Sequence, residues 1–126
     1  MQAKVDKVKR LILASGVHDW VDIVVPTLEA CHALGGVEER AALPLALEAV
    51  KQLLREGLIE VGEVGVDGLS PWAVSLKTIE ERIDLEARNV EFPLRSSYMF
   101  WIANTTRGDL VGRSILEKYP EILDVE

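Results

Sequence analysis

Residues 43–64 read LPLALEAVKQLLREGLIEVGEV, and this stretch decides the fold. Leu43, Ala46, Leu47, Val50, Leu53 and Leu54 stand at offsets 0, 3, 4, 7, 10 and 11. At about 3.6 residues per turn these positions form one apolar stripe, so the spacing predicts an amphipathic helix with that stripe buried. Pro44 suits a first turn, where its missing N–H is not needed. Gly57 stops the helix, because glycine takes the left-handed conformation of a helix end without penalty. Leu58, Ile59, Val61 and Val64 follow at once as a β-prone run. Burial of such a stripe contributes on the order of 1.5–3 kcal/mol per large side chain, which puts this helix at the centre of the core.

Upstream, residues 3–15 are expected as a first helix, with Val5, Val8, Leu11 and Ile12 on one face and Ser15-Gly16 at its end. Trp20–Val24 reads as a short strand, because Pro26 pushes the residue before it toward extended backbone. A second helix is expected from Pro26 to about Leu34, with Gly35-Gly36 as the turn. Downstream, Gly65–Gly68 and Ser70-Pro71-Trp72 read as a loop. Ser75 suits the N-cap of a helix to about Arg88, with Leu76, Ile79, Ile83 and Ala87 as its stripe. Residues 97–103 read as an aromatic strand. A last helix runs from Thr105 or Thr106 to about Tyr119, with Leu110, Val111, Ser114 and Ile115 expected inward.

The chain of 126 residues is one domain's worth, and 48% hydrophobic residues suffice for a core. No apolar run approaches the roughly 20 residues of a membrane span, so no membrane partner is expected. The brief apolar run Leu11–Ala14 is too short for a secretory signal. Cys31 is the one cysteine and has no internal disulfide partner, which points to a cytoplasmic location. The net charge of −7 has the wrong sign for a phosphate-neutralising protein. Residues 56–91 concentrate it, with nine acids against Lys77, Arg82 and Arg88.

The order helix, strand, helix, turn, helix, strand, insertion, strand, helix resembles a winged helix-turn-helix domain. The segment Phe100–Gly108 resembles the strand-to-helix step that ends many such proteins. Trp20-Val21-Asp22, Gly57-Leu58-Ile59-x-Val61-Gly62 and Trp101-x-x-x-Thr105-x-x-Gly108 are also similar to small uncharacterised bacterial, actinobacterial, proteins. The resemblance covers about residues 1–119 and implies an α+β, winged-helix-like fold, with residues 1–126 expected as a single domain. It would have three N-terminal helices, a small antiparallel sheet, a helical insertion at about 65–96 between the wing strands, and a C-terminal helix. It implies a fold, and a fold does not imply a function.

Within that frame the 43–56 helix would be the recognition helix, with Pro44, Leu45, Glu48, Gln52, Arg55 and Glu56 outward and Lys51 at the margin. Gln52, Arg55 and Lys51 could touch DNA, but they come late in the helix. Its early positions, Glu38, Glu39, Pro44 and Leu45, repel phosphate or offer no hydrogen bond. A DNA-binding regulator would also need a homodimer to span two half-sites. The favoured expectation is a protein-binding module that meets a protein partner, basic in one version, through an acidic or apolar surface. Its candidate residues are Leu45, Glu48, Gln52, Arg55, Trp72, Glu80, Glu81 and Asp84. Trp72 either anchors a partner or pins the insertion to the sheet, while Trp20 and Trp101 read as core. No enzyme signature and no cofactor motif is found. Gly108-x-x-x-Gly112 lacks the lysine of a phosphate loop. Cys31-His32 are adjacent and diverge by about 100° on a helix, so they do not suit one metal.

Overall fold

The computed structural model describes residues 1–95 and 99–123. Among them the chain is α+β, with five helices and a four-stranded antiparallel sheet. The elements are α1 (Gln2–Gly16), β1 (Val21–Asp22), α2 (Val24–Ala33), α3 (Glu39–Arg55), β2 (Ile59–Gly65), β3 (Gly68–Pro71), α4 (Leu76–Asn89), β4 (Trp101–Asn104) and α5 (Thr106–Lys118). The sheet order is β1-β4-β2-β3, with Val21 opposite Ile102 and Val61 opposite Ile102 on the other side.

The 43–64 unit forms, but α3 begins earlier than the spacing predicts. Pro44 is therefore in the sixth position of the helix and not in its first turn. It has no N–H for the Arg40 carbonyl, and it remains exposed where that loss is least costly. Leu45, expected on the outer face, is only 7% exposed. A helix that packs against α1, α2, β2 and α4 buries a wider arc than one stripe. Gly57, at φ +73°, ends the unit and lets β2 leave directly.

Pro26 does not delay α2. It is the third helical residue, where an absent N–H removes no helical bond. The Asp22 carboxylate accepts the Val24 N–H at 2.9 Å and so starts the helix two residues before Pro26. This shortens the expected 20–24 strand to Val21–Asp22. The stretch read as a loop after Val64 contains β3, which forms a hairpin with β2 through the Val66-Asp67 turn. Asp67-Gly68 is a hairpin signal, and Gly68 supplies the positive φ of +102°. The last strand is Trp101–Asn104, and the expected start at Ser97 and Tyr98 lies outside the described residues.

Of the face expected inward on α5, only Ile115 packs against the core. Leu110 is 67% exposed, Val111 and Ser114 are exposed, and Gly108 and Gly112 are buried. These glycines let α5 lie directly against the backbone of α1 and of Leu58. Thr105 caps the helix: its Oγ1 accepts the Gly108 N–H at 3.1 Å and donates to the Gly57 carbonyl at 2.9 Å.

Candidate interaction surface

The candidate residues of α3 and α4 are brought together, but against each other. Lys51 and Arg55 lie one turn apart on α3, and Glu80 and Asp84 lie one turn apart on α4. The helices run so that each cation meets an acid. Arg55 donates to both carboxylate oxygens of Glu80, at 2.6 and 3.0 Å, and Lys51 pairs with Asp84 at 2.5 Å. Glu48 accepts from Gln52 at 3.0 Å and lies 3.9 Å from Arg55. Gln52 also accepts from Gln2 and from Lys9, and Lys9 pairs with Glu56 at 2.8 Å. Of the candidates on these two helices, Glu81 alone is exposed with no ion-pair or hydrogen-bond partner among the described residues.

The early part of α3 is covered as well. The Arg40 guanidinium lies 4.6 Å from the Phe92 ring centroid, and Glu39 accepts the Leu94 N–H at 3.2 Å. Between α3 and α4 runs a groove of about 410 Å³ whose floor includes Leu43, Leu47, Ala87 and Phe92.

Trp72 is buried and pins the insertion. Its ring meets Phe100 edge-on at 5.6 Å, Arg82 stacks 3.9 Å from its centroid, and its Nε1 donates to Glu63 at 3.4 Å. Arg82 also binds Glu63 at 2.9 Å and Glu86 at 3.0 Å. Three acids of the insertion, Glu80, Asp84 and Glu86, and Glu63 of β2 are thus held by cations of the same chain. Among the described residues, Glu60, Asp67 and Glu81 are exposed and have no ion-pair partner.

The Arg55 hydrogen bond holds the Glu80 carboxyl below the usual carboxylate range, and burial opposes it only in part. The same bond raises Arg55 above its ordinary value. Because the folded pKa of Glu80 is the lower one, the stability from its charge is complete above the ordinary glutamate value. It is lost as pH falls through the lowered one. Glu80→Gln should therefore be less stable than the parent at neutral pH, and the gap should close in acid. Denaturant unfolding across pH measures it, and a gap that persists in acid would refute the role of the charge.

Burial, and then the charge of Glu39, push the Cys31 thiol up, so it is protonated at neutral pH and a poor nucleophile. Among the described residues no group of three His, Cys, Asp or Glu side chains could hold a metal ion. Among the described residues no helix is long and apolar enough to cross a membrane.

Trp20 and Trp101, expected in the core, are not inside. Trp20 is 42% exposed and Trp101 half-buried. Strand alternation directs Val21, Ile59, Val61, Phe100 and Ile102 inward, which leaves Trp20, Glu60, Val64, Leu69 and Trp101 on the opposite face. No family model matches the chain, and no curated protein or solved structure proved similar enough to serve as a relative.

Proposed function

We propose that this chain is a winged-helix-like protein-binding module and not a DNA reader. Three helices precede β2, and β4 lies between β1 and β2, which supports the winged-helix-like reading. The observation that carries the functional reading is the pairing of Lys51 and Arg55 with Asp84 and Glu80. A recognition helix needs free cations for phosphate and open side chains for base edges. Here Lys51 and Arg55 are already neutralised, Arg40 is stacked on the Phe92 ring, α4 lies beside the helix, and the 92–94 segment covers its early turns. The net charge of −7 adds a long-range repulsion to any polyanion.

Protein partners impose no such demand. They use exposed apolar side chains and a polar rim, and the chain keeps both outside the α3–α4 contact. The test is fluorescence anisotropy of a labelled random-sequence duplex at low salt, where phosphate binding is strongest. The expected result is no saturable binding at micromolar protein. Saturable binding with a steep salt slope, lost in Lys51→Ala and Arg55→Ala, would defeat the reading.

A further inference from the structure

We propose that the outer face of the sheet, from Trp20 to the β2–β3 hairpin tip, docks a basic protein segment that carries large apolar side chains. This rests on the protein-binding reading and names the chemistry of the partner. The face has no helix over it among the described residues, because α1, α2 and α3 all pack on the side of Val61 and Ile102. Its apolar side chains occupy neighbouring positions of the sheet register. Trp101 is opposite Gly62, Val64 is opposite Leu69, and a Cβ at Gly68 would lie 3.7 Å from the Trp20 ring. Val66 at the hairpin tip is fully exposed. Scattered apolar residues are ordinary on a protein surface, but a contiguous set with a polar rim marks an interaction site.

Charge selects the occupant. Residues 11–39, 56–76 and 99–106, which supply every strand and the connections at this face, contain no lysine and no arginine. Asp19, Glu60 and Asp67 border the face, and no described cation comes within ion-pairing distance of them. A lysine- or arginine-bearing segment gains from that rim and is steered to it. A second copy would bring the same carboxylates against themselves across a two-fold axis, and an anionic lipid surface would be repelled as well. Strand addition at the β3 edge is disfavoured. The Trp72 N–H goes to Val61, so the Pro71 nitrogen faces the open edge and offers no donor there. The segment lies on the face and does not extend the sheet.

The test is a titration of the 15N-labelled full chain with three synthetic peptides: an amphipathic lysine/leucine peptide, its glutamate/leucine counterpart, and oligolysine. The lysine/leucine peptide is expected to shift the indole signals of Trp20 and Trp101 and the amides of Val64 and Val66. The glutamate/leucine peptide should shift none of them, and oligolysine should bind more weakly. Val66→Ser and Asp67→Lys alter exposed tip positions and leave the core intact, and each should weaken the lysine/leucine peptide by about tenfold. The proposal falls if the shifts map to another face, if both variants bind as the parent does, or if either control peptide binds as well. It also falls if the same residues shift with protein concentration alone, which would make a second copy the occupant. Duplex binding at α3 would defeat the protein-binding reading; peptide shifts on the wrong face without duplex binding would defeat only this proposal.

Discussion

Gly112→Ala should destabilise the fold by about 3 kcal/mol, at the upper end of what overpacking costs. Helix propensity alone predicts the opposite sign. Alanine in place of a mid-helix glycine gains about 1 kcal/mol where space allows. Here the added Cβ would meet the Leu13 carbonyl oxygen and stand 2.7 Å from a Val17 methyl. The obstacle is the backbone of α1, which cannot rotate aside, so α5 must lift off. Gly108→Ala should act alike, since its Cβ would meet the Leu58 carbonyl oxygen. Ser114→Ala on the exposed side of the same helix is the control and should change stability by less than about 0.5 kcal/mol. Urea unfolding of the three variants measures this. A neutral or stabilising Gly112→Ala would show that α5 does not lie against α1 as described.

Phe100→Ala should cost about 3–5 kcal/mol, the usual range for removing a buried phenylalanine. Phe100 is fully buried on the inner face beside β4, and its ring is the partner of Trp72. Its loss therefore opens a cavity and frees the residue that pins the insertion to the sheet. A domain of this size is stable by roughly 5–15 kcal/mol, so the variant should be close to unfolding at ordinary temperature. Phe100→Leu keeps most of the volume and should lose much less. A loss below about 1 kcal/mol for Phe100→Ala would mean that the site can collapse, contrary to a packed Trp72–Phe100 contact.

The sequence made α3 and its buried stripe legible because a 3.6-residue period is a local property. The strand after Gly57 and the Ser75 cap were legible for the same reason. Leu45 was not, because its burial depends on which elements surround α3. The inward face of α5 was assigned to its larger side chains, whereas Gly108 and Gly112 mark the side that lies against backbone. Two glycines four residues apart on one helix face are the sequence signal for such a close approach.

The α3–α4 contact also left a trace. Lys51 and Arg55 are four apart, as are Glu80 and Asp84, so two cations and two acids could meet on facing helices. Composition alone does not say which charges pair, so the acids read as a free surface until the helices are placed. The outer sheet face is harder to read, because a tryptophan in a strand suits the core by size alone. Strand parity around Val21 and Ile102 places Trp20 and Trp101 on the other side.

The inserted helix lies across α3 and takes up Lys51 and Arg55. Methyl-to-methyl NOEs in the labelled full chain test this most directly. Cross-peaks are expected from the Ile83 and Ala87 methyls of α4 to leucine and valine methyls of α3. A folded chain in which Ile83 and Ala87 show none of these contacts would contradict it, and Lys51 and Arg55 would be open to a phosphate backbone after all.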